Sequence, residues 1–184
     1  MAIPNRLAIL NDDGTTDASF ALTYGLNAAG RAVQVDKDGQ IIVAGEFTQI
    51  DDDVRMYLAA VAQDGTISTN VANANGIVRA LIGQTDGKTL VAGAFTAIGG
   101  VNRSSLARVD AALAVEEAYT PTFNGPVGSL AQQEDGKTLA GGAFATVSGV
   151  ARANIVRLYN NDAPTSLTVE NVDLIQWLRG GSSQ

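Results

Sequence analysis

The chain has neither cysteine nor histidine. That removes disulfides, thiolate nucleophiles, zinc sites of the Cys/His type, Ser-His-Asp triads and every imidazole general base. A resident metal would have to be held by oxygen, which narrows the choice to calcium or magnesium. The missing cysteine leaves the compartment open, because extracellular proteins can do without it. Aromatic residues make up only 5%, so a core drawn from the 46% apolar residues is built mainly of Ala, Val, Leu and Ile. Long apolar runs are missing too: none reaches the roughly 18 residues that a membrane helix needs. Residues 1–20 hold no apolar segment behind a basic one, so no signal peptide is visible. Positive charge is in deficit, with 12 basic against 19 acidic residues for a net −7. Such a surface repels nucleic-acid phosphate and anionic membranes, so neither a nucleic-acid partner nor membrane insertion is expected.

What the chain does have is glycine, 20 residues of it, and a repeat. DGKTLVAGAF at 86–95 returns as DGKTLAGGAF at 135–144. Asp-Gly falls at 38–39, 86–87 and 135–136. AGEF (44–47), AGAF (92–95) and GGAF (141–144) keep that register, as do Arg55, Arg103 and Arg152 and the apolar runs at 58–61, 106–109 and 155–158. Four features held at one spacing of 48–49 residues define a structural unit. RLAILNDDGTTDASF (6–20) matches the tail of a further unit, with Asp13-Gly14 matching Asp64-Gly65 and with Phe20, Val71 and Phe123 in equivalent places. The stretch from Asp110 to Thr122 lacks Asp-Gly and predicts a longer, looser loop.

Within a unit the pattern is β. Asp-Gly between two short apolar runs predicts a hairpin with a type I′ turn, which places Gly39, Gly87 and Gly136 in the turns. Gly45, Gly93 and Gly142 lie inside a strand, where glycine marks a bulge or the close approach of another backbone. Phe47, Phe95 and Phe144 follow two residues on, on the same face, and predict the anchors of a core between successive sheets. A repeat of this length with about four short strands reads as a propeller blade, whose small sheet buries its faces only by stacking on its neighbours. The expected fold is therefore all-β, a β-propeller-type array of about three and a half four-stranded blades over residues 1–165. It comprises a half unit at 5–20 and units at about 21–71, 72–123 and 124–165. Residues 166–184 form a C-terminal tail with the single Trp, either strand or short helix, that would dock on the last blade or open a further β domain.

DGKTLVAGAFTAIGGVNRSSLARV (86–109) and DGKTLAGGAFATVSGVARANIVRL (135–158) resemble the delta-60 repeats of bacterial proteins, and 38–61 does so with Gln40 in place of the Lys. The resemblance covers roughly residues 5–160. It implies a propeller-like array in a secreted or surface-associated protein and brings no catalytic residue with it.

Four pieces of candidate chemistry are set against plainer readings. DGKTL looks like the end of a phosphate-binding P-loop, but Ile82 and Ala131 stand where its first glycine belongs. Asp36 and Asp38, with Asp51 and Asp53, are calcium candidates, yet Gln84 and Gln133 replace Asp36 in the other units and no Glu closes a loop. A hairpin turn with solvated acids is the plainer reading. Glu116 and Glu117 are adjacent, so on a strand they point to opposite faces. They are poorly placed as the pair of carboxyls about 5 to 9 Å apart that glycoside hydrolysis uses, and a surface loop accounts for them. Arg55, Arg103 and Arg152 would form either a cationic ring for an anionic glycan or one structural clamp per blade on loop carbonyls.

The expectation is a non-enzymatic structural or recognition module without cofactor, presenting loops 48–56, 97–104 and 145–153 to a glycan or protein partner. A carbohydrate-active hydrolase or lyase using loop carboxylates is the alternative from another class. A third reading is a self-assembling subunit of an extracellular or phage-tail structure. Three and a half blades fall short of the usual closed ring of about four to eight. The terminal faces should then be exposed and apolar, and a second copy of the chain is one way to cover them.

Overall fold

The computed structural model describes residues 6–159 in full and residues 165–171 and 174–179 as backbone. Among the described residues every regular element is a strand. The first complete unit contains β1 (Gly30–Val35), β2 (Ile41–Gly45), β3 (Gln49–Ile50), β4 (Asp53–Val54) and β5 (Leu58–Val61). β2 is the middle of an antiparallel sheet in the order β1-β2-β5, and β3 and β4 form a short ribbon beside it. The second unit repeats this with β6 (Val78–Gly83), β7 (Thr89–Gly93), β8 (Ala97–Ile98), β9 (Val101–Asn102) and β10 (Leu106–Val109). The third does so with β11 (Val127–Gln132), β12 (Thr138–Gly142), β13 (Thr146–Val147), β14 (Val150–Ala151) and β15 (Ile155–Leu158).

In the first two blades the fourth strand is reduced to a turn closed by one bridge, Val61 to Ile67 and Val109 to Val115. Residues 6–20 make the same closing turn, bridged between Leu10 and Thr16, and so supply the outer half of a preceding blade. β16 (Thr165–Asn171) and β17 (Leu174–Arg179) pair as a hairpin, with Leu167 opposite Trp177 and Val169 opposite Ile175. The tail is thus strand rather than helix. Whether it docks on the last blade lies outside the described residues.

Hydrophobic alternation turns these sheets into a stack. β2 and β7 are buried on both faces. Phe20, Leu22 and the half-buried Leu7 and Ile9 cover one face of the first blade, against Val43, Phe47, Ala59 and Val61. Its other face, Ile42, Ala44, Leu58 and Ala60, packs on Val91, Phe95, Ala107 and Val109 of the second blade. The second blade in turn packs Leu90, Ala92 and Leu106 on Phe123, Ala140 and Phe144 of the third. All five Phe are buried in these layers. Phe123 and Phe144 meet edge to face, with ring centroids 4.9 Å apart. Burial of this kind stabilises by about 25 cal/mol per Å² of apolar surface, and it is available only between blades.

Three sequence expectations are corrected. The Asp-Gly turns are not type I′. The Gly39 N–H donates to the Asp36 carbonyl, and the Asp36 N–H donates to the Gln40 carbonyl. Gly39 alone has positive φ, at 83°, with Gly87 and Gly136 at 80° and 77°. This is a three-residue loop whose last residue is left-handed, so the preceding Asp keeps an ordinary conformation. Nor is the stretch after Val109 loose. The Leu113 N–H donates to the Asp110 carbonyl and the Asp110 N–H to the Ala114 carbonyl, which is the turn at 62–66 over again. Leu113 takes the glycine position with φ 60° and is buried. Finally, Phe123 bridges Val147 just as Leu26 bridges Ile50 and Ala74 bridges Ile98. Its equivalents are Leu26 and Ala74, not Phe20 and Val71.

Candidate functional site

The ribbon loops at 48–56, 97–104 and 145–153 are held by one asparagine each. The Asn27 side-chain oxygen accepts from the N–H groups of Thr48 and Gln49, at 2.9 and 3.1 Å. Asn75 accepts from Thr96 and Ala97, and Asn124 from Ala145 and Thr146. The arginines stand at the far side of the same loops. Arg55 donates through Nη2 to the Ser68 carbonyl at 2.8 Å, and Arg103 to the carbonyls of Glu116 and Glu117 at 3.0 Å. In all three units Nη1 donates to the carbonyl of the preceding residue, Val54, Asn102 or Ala151. The guanidinium fork is suited to bridging carbonyls that have left their ladder. Side-chain clamps thus fix the loops while the tips between them differ: Asp51-Asp52-Asp53 in the first, Gly99-Gly100-Val101 in the second, Ser148-Gly149-Val150 in the third.

Gly45, Gly93 and Gly142 sit opposite a bulge. β1 steps from Gly30 to Ala32 across the Gly45–Ala44 pair, and β6 and β11 make the same step at Val78/Ala80 and Val127/Ser129. A Cβ on Gly93 would run into the Ile77 carbonyl oxygen and lie 2.9 Å from Val78 Cα. Gly45 faces the Ala29 carbonyl and Gly142 the Pro126 carbonyl in the same way. The crowding lets the N–H of the next residue reach that carbonyl, from Glu46 to Ala29, Ala94 to Ile77 and Ala143 to Pro126.

The four acids considered as calcium ligands are not brought together. Asp36 accepts from the N–H groups of Asp38 and Gln40 within its own turn. Asp38 pairs with Lys37 at 2.6 Å, and Asp53 lies 3.7 Å from Arg55. Asp51, with φ 48°, aims its carboxylate at the N–H groups of Thr23, Tyr24 and Gly25, at 3.0, 2.9 and 2.7 Å. Burial pushes the Asp51 carboxyl up, but the three donors outweigh it and hold the group below its ordinary value. Among the described residues no three carboxylates gather around one point.

One charged cluster escaped the sequence reading. Arg108 on β10 is wholly buried, at 1% exposure, with its guanidinium 4.5 Å from the centre of the Tyr119 ring. It is ion-paired with Glu116, which also meets Lys88 at 3.1 Å. The hydrogen bond from Arg108 lowers the Glu116 pKa against the opposing effect of burial, with help from Lys88. Burial pushes the Tyr119 hydroxyl up to about 12. Glu116 is therefore half-buried and structural rather than a solvated loop acid, while Glu117 is exposed. The signal in the sequence was the Ala60, Arg108, Arg157 series, which puts a cation at a position that alternation makes inward-facing.

Clefts open between units, among them two flanked by basic side chains. One, of about 320 Å³, lies between the first two hairpin turns and is lined by Gln34, Lys37, Gln84 and Lys88. The other, of about 240 Å³, lies between the half blade and the first blade. Leu7, Leu26, Val33 and Val43 line it, with Arg6 and Arg31 among them.

Three sheets of one topology, stacked face on face through equivalent residues, define a β-propeller repeat protein. The chain belongs to the β-propeller family described as domain of unknown function DUF5122, whose model matches residues 37–70, 84–113 and 133–164, just over half of the sequence. No curated protein and no solved structure matches it.

Proposed function

We propose that the chain is a non-enzymatic structural and recognition module of delta-60 type. Its blades hold the three ribbon loops as a display surface for a protein or glycan partner outside the cell or at its surface. The observation that supports this is the pairing of constant clamps with changing tips. Asn27, Asn75 and Asn124 hold the loops from one side, with Arg55, Arg103 and Arg152 at the other, while the residues between pass from three acids to glycine and serine. A rigid frame with variable loops is the general arrangement of binding scaffolds. Location and partner rest on the motif resemblance, and the net charge of −7 argues against nucleic acid and anionic membrane. The hydrolase or lyase reading gains no support, since Asp51 and Glu116 are both engaged in holding structure.

The test is a glycan and cell-surface protein array probed with the intact chain and with a variant carrying Asp52→Gly and Asp53→Val, which leaves the Asp51 contacts in place. Binding that the double variant loses supports the reading. Binding that survives the loop change, or cleavage of an arrayed polysaccharide, counts against it.

A further inference from the structure

The two Asn-Gly pairs of the sequence are Asn75-Gly76 and Asn124-Gly125, and both asparagines are loop clamps. Packing imposes the glycine. A Cβ on Gly76 would run into the Ala94 carbonyl oxygen, and one on Gly125 into the Ala143 carbonyl oxygen. The first blade has Ala28 at this place, after Asn27. Asn-Gly is especially prone to deamidation, because no side chain shields the glycine nitrogen and glycine is free to adopt the backbone that ring closure needs. Asn75 and Asn124 are exposed, so water and hydroxide reach them. What differs is the hold on the amide. The Asn75 side chain is tied at both ends. Its oxygen accepts from the Thr96 and Ala97 N–H groups at 2.9 and 3.0 Å, and its nitrogen donates to Thr96 Oγ1 at 2.8 Å. Asn27 is held in the same way, its Nδ2 donating to Thr48 Oγ1 at 3.0 Å. Asn124 keeps the two bonds to its oxygen, at 2.8 and 2.9 Å. Ala145 stands where Thr48 and Thr96 stand, so the hydroxyl bond of the other two clamps is missing from the third.

We propose that Asn75 and Asn124 are deamidation sites gated by their clamps, closed while the ribbon loop is held and ranked by the bonds that hold it. The Gly76 nitrogen, once deprotonated, forms a bond to Asn75 Cγ. The Cγ–Nδ2 bond breaks and the amide nitrogen leaves as ammonia, giving a five-membered succinimide. Water then opens the ring at either carbonyl, to aspartate or to isoaspartate, with no change of oxidation state. Ring closure turns the amide from the ribbon toward its own backbone, so the clamp bonds are released first. Asn124 has one fewer to release and is the faster site of the folded chain. Asn27, followed by Ala28, is spared. The products differ in consequence. Aspartate still offers acceptors to the two N–H groups. Isoaspartate takes the clamping carbon into the main chain and lengthens the backbone by one methylene, so the clamp cannot re-form. Ribbons 97–104 and 145–153 thus lose their hold irreversibly once they have opened, while 48–56 keeps its own. This goes beyond the display reading and holds whatever the loops bind.

The test incubates the full chain in mildly alkaline buffer, folded and in guanidinium chloride, and follows each asparagine by tandem mass spectrometry of its peptide. Unfolded, Asn75 and Asn124 should convert at closely similar rates, since both precede glycine and no clamp exists. Folded, both should slow, with Asn124 roughly two- to tenfold faster than Asn75, the effect of one hydrogen bond. Asn27 is the control within the same chain and should stay an amide in both. Ala145→Thr supplies the missing hydroxyl and should bring Asn124 down to the rate of Asn75. Thr96→Val should speed Asn75 by a similar factor, with circular dichroism to show the variant folded. Folded rates as fast as the unfolded ones overturn the gate. Equal folded rates at the two sites also overturn the proposal, because whole-chain unfolding would then be the route. So does an Ala145→Thr chain whose Asn124 converts no more slowly than before.

Discussion

Gly93 and Ile77 approach so closely that a side chain on the glycine has nowhere to go. A Cβ would strike the Ile77 carbonyl oxygen and sit 2.9 Å from Val78 Cα. Both obstacles are backbone, so relief requires the β6–β7 bulge to open and the Ala94 to Ile77 hydrogen bond, 2.8 Å long, to stretch. Gly93→Ala should therefore cost about 3 kcal/mol, at the upper end of the range for overpacking. Gly128 is the matched control: the nearest atom to its added Cβ is the Gly141 oxygen at 3.8 Å. Gly128→Ala should be neutral or stabilising by up to about 1 kcal/mol through the unfolded chain. Urea denaturation of the two variants decides the point, and equal midpoints would refute the close-approach reading.

Leu113 stands where Gly65 stands in the preceding blade, with φ 60° against 91°. The left-handed conformation costs a leucine about 1 to 2 kcal/mol. Its side chain, 2% exposed, is part of the layer between the first two blades. Removing a buried leucine costs about 2 to 5 kcal/mol. Leu113→Gly relieves the smaller term and loses the larger, so it should lower stability by about 1 to 3 kcal/mol. Leu113→Asn keeps the conformation without the burial and should also destabilise. A gain in thermal midpoint for either variant would show that strain, not packing, dominates there.

These two positions also mark how far the sequence could be read. Asp-Gly at three places and the Gly-x-Phe box announced turn, bulge and core, because each demands a backbone or a volume that few other residues supply. The turn at 110–114 was invisible because its left-handed residue is a leucine, held there by burial rather than by preference. The equivalence of Phe123 with Leu26 and Ala74 is not legible in the sequence, because the three share a bridge position but no residue type. Arg108 hid for a different reason. Alternation with Leu106 turns this position inward while the charge argues for the outside, and only Glu116 and Tyr119, eight and more residues on, make its burial tolerable. The Asp51 site is likewise made by three N–H groups more than twenty residues away in the chain.

Asp51 gives the stack a dependence on acid. Its carboxylate, ionised in the fold, is held below the ordinary 3.8 once the three backbone donors overcome burial. A group with a depressed folded pKa contributes stability that is fully present above the unfolded value. That contribution drains away as pH falls through the folded one. Asp51→Ala should cost about 1 kcal/mol at neutral pH, because water can answer the exposed Thr23 and Tyr24 N–H groups and only the Gly25 donor is buried. Asp51→Asn should narrow its gap to the wild type as pH drops below about 3.8. Asp13, Asp17, Asp64 and Asp135 are lowered as well and share the general acid sensitivity, so the difference between the two proteins is the informative quantity. Thermal melts from pH 7 to 2 supply it. A gap that widens toward acid would contradict the assignment.

Arg108 and Glu116 make the sharpest energetic test. The cation is buried and its partner about one quarter exposed, with side-chain exposures of 2% and 23%. Breaking a buried pair by removing one member costs about 3 to 5 kcal/mol, because the survivor is left charged in a poor solvent. The exposure of Glu116 lets water answer part of that charge, so Glu116→Gln should cost about 2 kcal/mol, below that range. Replacing both charges removes the reason for the loss. Arg108→Met fills similar volume against Tyr119, and the first blade already manages with Ala60 and Ser68 at these two places. The double variant Arg108→Met, Glu116→Gln should therefore be more stable than Glu116→Gln alone and lie within about 1 kcal/mol of the wild type. A double-mutant cycle in urea gives the coupling directly. If the double variant is less stable than Glu116→Gln, the pair contributes net stability beyond mutual compensation, and Lys88, 3.1 Å from the same carboxylate, is the next residue to remove.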